Sequence, residues 1–171
     1  IVLNMNVNYG LKTASDKLSK LKAGALFMRM GTHKIKMALD LIKNKQDDFD
    51  TVVWIAPASF LSWDGYTKAI VENQEGLTKE ICFFSIESIS CSDIHYLQLY
   101  SLVERSRVFC VVDESITIKN TEAGRTKRLL LMRNMFDYRL ILSSLPLTQG
   151  LVDLYSQIEF MHPSVLNMSE T

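Results

Sequence analysis

Five short apolar runs, each about as long as one strand, recur along this chain at intervals long enough to hold a helix. They are ALFMRM (25–30), TVVWIA (51–56), ICFFSI (81–86), RVFCVVD (107–113) and RLILSS (139–144). None alternates apolar with polar residues. Apolarity that continues over such a length marks strands covered on both faces, the condition of a parallel sheet with helices above and below. The intervening segments carry helical spacing. Ile35, Ala38, Leu39 and Ile42 fall at i, i+3, i+4 and i+7, which sets one apolar stripe on a helix starting just after Gly31. Ser92 or Asp93 is placed to cap a second clear helix, with Ile94, Leu97 and Tyr100 directed toward the core. Further helices are expected over 11–22, 59–72, 122–136 and 150–160. Alternating strands and helices with right-handed crossovers predict an α/β, three-layer domain: a mainly parallel sheet flanked by helices on both faces.

The whole chain, 1–171, reads as a single unit with no repeat, linker or low-complexity tract. With 47% hydrophobic and 22% charged residues, it can bury about 70% of the surface its unfolded form exposes. Lys plus Arg and Asp plus Glu stand at 19 each, so no global field draws it toward nucleic acid or an anionic surface. Any basic surface must be local. Cys82, Cys91 and Cys110 lie in or beside apolar runs without a C-x-x-C pair, which predicts reduced, buried thiols and suits a cytoplasmic protein. No apolar run approaches the roughly 18 residues of a membrane span, so no membrane partner is expected. The opening residues lack the pattern of a secretion signal, and the first is Ile1 rather than Met. An excerpt or a processed chain is expected.

In an open parallel sheet, ligands gather where strand ends meet helix N-termini. Three stretches fall at such ends. In MRMGTHKI, Gly31 and Lys34 occupy positions of a phosphate-binding loop, G-x-x-x-x-G-K-[ST]. Such a loop needs glycines so that backbone N–H groups face phosphate, a lysine for the outer phosphates, and a hydroxyl for magnesium. Here His33 and Ile35 stand where the last glycine and the hydroxyl belong. Taken alone, the stretch equally suits a plain strand-turn-helix with a surface lysine. RVFCVVDESITIKN ends a strand in adjacent acids, Asp113 and Glu114, the placement that sets one carboxylate near magnesium and another near an attacking water. A solvated strand end offers the same pair. RLILSSLPLTQGLVDLYSQIEFMHP ends a strand in small polar residues and Pro146 before an amphipathic helix. Arg125, Lys127, Arg128 and Arg133 form a basic cluster that reads either as a nucleic-acid contact or as a solvated helix face. His33, His95 and His162 lack metal-ligand spacing, and no G-x-S-x-G elbow is present. Met28, Met30, Met37, Met132 and Met135 read as core packing.

In order and spacing, these segments resemble the N-terminal RecA-like lobe of Swi/Snf-type DNA translocases in helicase superfamily two, a P-loop NTPase fold. The family's D-E-M-G-x-G-K-T is matched by MRMGTHKI, and its strand ending in Pro with a following Trp by IAPASFLSW. FSIESIS, DESITIKN and LSSLPLTQGLVDLYSQIEFMHP match three later motifs, so the resemblance covers about residues 23–163. It implies ATP and magnesium as cofactors, bound by Met30, Gly31, Thr32, His33, Lys34 and Ile35, with Asp113 holding the metal through water. Asp113 and Glu114 would be catalytic. It also implies double-stranded DNA as partner, touched by Ser59, Ser62, Lys68 and Thr148. Catalysis would need a second RecA-like lobe with an arginine finger, for which this chain has no room, or a partner protein.

Departures from the family pattern thin the contacts to nucleotide. His33 and Ile35 replace glycine and hydroxyl, Ile116 replaces a histidine, and Ser144 and Leu145 replace Gly and Thr. The segment YGLKTASDKLSKLKAG lacks the glutamine that would read adenine. Three readings stand: a lobe with a degenerate site acting as a binding or scaffold module, a working translocase lobe completed by its second lobe, and an α/β domain unrelated to nucleotide.

Overall fold

The computed structural model describes residues 15–163. Among them are the strands β1 (Ala23–Phe27), β2 (Thr51–Ala56), β3 (Ile81–Ser85), β4 (Val108–Val112) and β5 (Tyr138–Ser143). All neighbouring pairs are parallel, in the order β1-β5-β4-β2-β3. The apolar runs have their explanation in the two cores. Val52, Trp54 and Ala56 of β2, with Phe109 and Val111 of β4, enter the core on one face, while Val53, Ile55, Val108, Cys110 and Val112 enter the other. Successive side chains point to opposite faces, so a strand covered on both needs apolar residues throughout.

One face is covered by α1 (Lys34–Lys43) through Met37, Ala38, Leu39, Leu41 and Ile42. The predicted helix over 59–72 divides into α2 (Ala58–Leu61) and α3 (Asp64–Asn73), separated at Trp63, whose ψ of 115° leaves the helical region. Tyr66 and Ile70 of α3 also fill this face. The opposite face is covered by α4 (Ile86–Cys91), α5 (Asp93–Arg105), α6 (Gly124–Met132) and α7 (Tyr155–Met161). Short 3-10 turns precede α7 at Leu151–Leu154 and follow α6 at Arg133–Met135. The expected helix over 11–22 falls partly outside the described residues; within them, 15–18 are helical.

Several sequence expectations are corrected. The first run ends as a strand at Phe27, because its partner β5 ends at Ser143 and Met30 leaves the sheet for a loop, 86% exposed. Met37 and Met132 are buried, and Met28 and Met135 are packed at the core's margin. On α5, Ser92 does cap the helix by accepting from the His95 N–H. Its inward residues are Leu99 and Val103, however, and Ile94, Leu97 and Tyr100 face solvent. The helix carries two apolar stripes, and the one that contains Leu99 and Val103 meets the core. Of the cysteines, all free, Cys110 is buried, Cys82 is half-buried, and Cys91 at the end of α4 is exposed. Among the described residues, no helix is long and apolar enough to cross a membrane.

Candidate functional site

The carboxyl ends of β1, β5, β4 and β2 lie side by side, so the loops leaving them converge on one edge of the sheet. From β1, the Met28 N–H donates to Ser143 O at 3.0 Å, and the chain then turns away through Arg29–His33. Thr32 Oγ1 closes the turn on Arg29 O at 2.5 Å. Gly31 has φ 78° and His33 has φ 58°, both in the left-handed region. Glycine occupies that region freely, whereas a side chain there costs about 1–2 kcal/mol. His33 is therefore a strained entry to α1, where it makes no side-chain capping bond.

Lys34 follows as the first residue of α1 and reaches back across β5 to β4. Its Nζ lies 3.7 Å from Asp113 Oδ1, with the lysine 15% and the carboxyl 1% exposed. Asp113 has further partners. Its Oδ1 accepts from the Glu114 N–H at 2.8 Å, and its Oδ2 accepts from the Tyr66 hydroxyl at 2.6 Å. The Tyr66 oxygen in turn accepts from Trp54 Nε1 at 2.9 Å. Burial, reinforced by the neighbouring Asp113 carboxyl, pushes the Tyr66 hydroxyl far above the usual phenol value. The Tyr66 hydroxyl thus keeps its proton and donates its hydrogen bond to Asp113.

Glu114 also adopts the left-handed region, φ 51° and ψ 54°. That backbone turns its side chain toward β5, where Ser143 Oγ and Ser144 Oγ each approach a Glu114 carboxyl oxygen at 3.4 Å. The segment after β5 is stapled from below. Asp153 Oδ2 accepts from the Thr148 N–H at 2.6 Å, Thr148 Oγ1 at 2.8 Å and the Gln149 N–H at 2.7 Å. Lys119 Nζ stands 3.3 Å from Asp153 Oδ1. The Gln149 and Thr148 amides hold the Asp153 carboxyl well below the usual carboxylate range. Gln157 completes the staple, accepting from Ser115 Oγ at 2.6 Å and donating to Pro146 O at 3.0 Å.

The loop Met30–Ile35 and the acids Asp113 and Glu114 thus share one edge of the sheet. The basic cluster does not join them. Arg125 donates to Thr117 O at 2.7 Å, Lys127 pairs with Glu122 at 2.7 Å, and Arg133 pairs with Glu159 at 3.1 Å. Arg128 donates to Ile89 O at 2.8 Å, pairs with Asp93 and lies over the Tyr96 ring. All four are occupied within the chain rather than arrayed as a free cationic face. Around Pro57, Ser59, Ser62 and Lys68 are exposed, with Lys68 beside Glu72. Sequence reasoning missed Trp54, Tyr66, Asp153 and Gln157 as polar members of this edge.

A family profile described as the SNF2-related domain matches residues 30–171. The chain belongs to this family. Among curated proteins it is similar to Helicase ssl-1 of Caenorhabditis elegans, 26% identical over 137 residues, 80% of this chain and 6% of that protein. It is also similar to the TATA-binding protein-associated factor mot1 of Schizosaccharomyces pombe, 32% identical over 83 residues, 48% of this chain and 4% of that protein. The SNF2-type chain therefore spans only a small part of these relatives. Its fold matches the Sulfolobus solfataricus SWI2/SNF2 ATPase core solved in complex with dsDNA, with a TM-score of 0.70 at 16% identity. That match covers 96% of this chain and 37% of the other. The chain is thus an N-terminal SNF2-type helicase lobe with a RecA-like α/β fold.

Proposed function

We propose that this SNF2-type lobe retains a degenerate nucleotide site and serves as a nucleotide- and DNA-binding or scaffold module. The observation that carries the reading is the Lys34–Asp113 pair, at 3.7 Å, behind a loop entered through left-handed His33. Lys34 and the N-terminal amides of α1 are the groups that would meet a phosphate, since a helix N-terminus carries about half a positive charge. Against tight binding stand the strained His33 and the apolar Ile35 beside it. The expected affinity for ATP is weak. Hydrolysis would require a second RecA-like lobe, and the chain's 37% share of the matched ATPase core leaves room for one elsewhere in a longer protein.

Contact with double-stranded DNA would come through the exposed side of α2 and α3 after Pro57, with Ser59, Ser62 and Lys68. Because the four cations of the basic cluster are paired internally, a single lobe has few phosphate contacts to offer. Its DNA binding should be weak and steeply salt-dependent.

A second reading is a working translocase lobe that tolerates His33 and Ile35 once its second lobe is present. Glu114 supports it, since its carboxyl stands at the end of β4 near two serine hydroxyls, where a water-activating base would be needed. Calorimetric titration with ATP, alongside Lys34→Ala, separates the readings. Micromolar binding abolished in Lys34→Ala favours the working lobe. Binding in the high micromolar to millimolar range, lost in the variant, fits the degenerate site. No heat up to millimolar ATP, where affinity is worth about 4 kcal/mol, rejects nucleotide binding and leaves only the scaffold role.

A further inference from the structure

We infer that the site, if it binds nucleotide as proposed above, takes the metal-free triphosphate: magnesium does not strengthen binding, because Lys34 and Tyr66 already hold Asp113. The donor set is the starting point. Magnesium requires near-octahedral oxygen ligation at short distance, from carboxylates, hydroxyls and water. At the position where the family's loop supplies a hydroxyl, this chain has Ile35, whose side chain packs against the core of the α1 face. Asp113 is the carboxylate placed to meet a metal's water shell, and each of its oxygens already accepts one hydrogen bond. Oδ1 holds the Glu114 N–H at 2.8 Å and faces the Lys34 ammonium, and Oδ2 holds the Tyr66 hydroxyl at 2.6 Å.

Tyr66 is fixed in this role from behind. It is 5% exposed, and its oxygen is engaged by Trp54 Nε1, so it cannot turn away without leaving a buried indole N–H unsatisfied. A metal's water shell would have to share Oδ2 with the Tyr66 hydroxyl. Among the described residues, no cluster of three or more His, Cys, Asp or Glu offers an alternative metal position. The residues present do not fit magnesium.

A triphosphate meets a different balance. Lys34 is 15% exposed, at 3.7 Å from Asp113 Oδ1, longer than a direct hydrogen bond. Its Nζ is therefore able to turn toward an incoming phosphate while keeping Asp113 within Coulombic reach. Magnesium bound to the nucleotide cancels two of its negative charges and places a dication beside that same ammonium. The anion alone is the better partner for this edge.

The test is a pair of ATP titrations of the whole chain, by calorimetry, in excess EDTA and in excess magnesium, each repeated with Lys34→Ala. The expected result is a Kd in EDTA equal to or tighter than in magnesium, with the EDTA binding lost in Lys34→Ala. A Kd tighter in magnesium by threefold or more overturns the inference and leaves the nucleotide reading standing. EDTA binding that survives Lys34→Ala also overturns it, since the lysine would not be the anion's partner. No binding in either buffer overturns both. A parallel titration of manganese alone, read by its electron paramagnetic resonance signal, should show no site; saturable manganese binding that Asp113→Asn removes would count against the inference independently of nucleotide.

Discussion

Removing a single oxygen atom, in Tyr66→Phe, should destabilise this lobe far more than its small change in volume suggests. Tyr66 sits in the middle of a buried chain, accepting from Trp54 Nε1 at 2.9 Å and donating to Asp113 Oδ2 at 2.6 Å. A hydrogen bond to a charged acceptor is worth about 1.5–3 kcal/mol, and an orphaned buried donor costs about 1–3 kcal/mol. Trp54 is fully buried, so water cannot replace the lost acceptor without structural opening. The two effects together give about 3 kcal/mol, allowing for partial relaxation around the new gap. At about 2–4 °C per kcal/mol for a chain of this size, Tm should fall by about 6–12 °C. Urea denaturation and thermal melts followed by tryptophan fluorescence provide the assay. Tyr138→Phe is the internal comparison, since its hydroxyl donates at 3.2 Å to Asp48 in a part-buried setting and should cost about 1 kcal/mol or less. A loss below about 1 kcal/mol for Tyr66→Phe, matching Tyr138→Phe, would refute the idea of a buried, mutually dependent chain. A double-mutant cycle with Asp113→Asn should show coupling of about 1 kcal/mol or more.

Other expected outcomes follow from neighbouring features. Asp153 has its carboxyl held well below the usual range by the Thr148 and Gln149 amides, so it contributes stability above about pH 4 that is lost as pH falls through the folded value. Acid melts should therefore be steeper for the wild type than for Asp153→Asn below about pH 4; parallel curves would show that the staple does not hold. Changing His33 to Gly together with Ile35 to Thr removes a left-handed side chain worth about 1–2 kcal/mol of strain and restores a hydroxyl. ATP binding should improve about tenfold, and no gain with the fold intact would count heavily against a degenerate nucleotide site. On α5, Leu99→Ala should cost about 2–5 kcal/mol, whereas Leu97→Ala should stay within about 0.5 kcal/mol. Equal losses in urea melts would contradict the observed helix phase.

The sheet was readable in the sequence because a strand buried on both faces admits no alternation, and TVVWIA matches β2 residue for residue. Helix phase was not. On α5 the apolar residues form two stripes, and only packing against the core selects Leu99 and Val103 over Ile94 and Leu97. The division of 59–72 at Trp63 had only a weak local signal, the Asp64-Gly65 dipeptide just after it. That Lys34, Asp113 and Glu114 share one edge was legible, because they lie at strand ends that any parallel sheet brings together. Their partners were beyond reach. Tyr66 stands 47 residues from Asp113, and its spacing from Ile70 advertises an ordinary core position. Nothing local to Gln157 announces that it bonds Ser115, 42 residues away. The internal pairing of the basic cluster was hidden for a related reason: a run of cations gives no sign of the acids and carbonyls that engage them in the fold.

On the proposed reading, the thinned nucleotide contacts and the presence of Tyr66 are two sides of one physical problem. A carboxylate buried to the extent of Asp113 needs partners, since an unpaired charge in the interior costs several kcal/mol. In a metal-binding lobe, an ion and its waters would take that role. On the proposed reading, this chain supplies the partners itself, with Lys34 for charge and the Tyr66 and Glu114 donors for the lone pairs. The arrangement leaves the folded state satisfied with no ligand at all. It follows that Ile35→Thr alone should not restore metal binding, because the restored hydroxyl would still face an occupied carboxylate. Combining it with Tyr66→Phe, at the stability loss worked out above, should strengthen metal binding by freeing the Oδ2 lone pair that Tyr66 holds. If Ile35→Thr alone confers saturable manganese binding, the occupancy of Asp113 is not the obstacle, and the missing hydroxyl accounts for the degeneracy by itself.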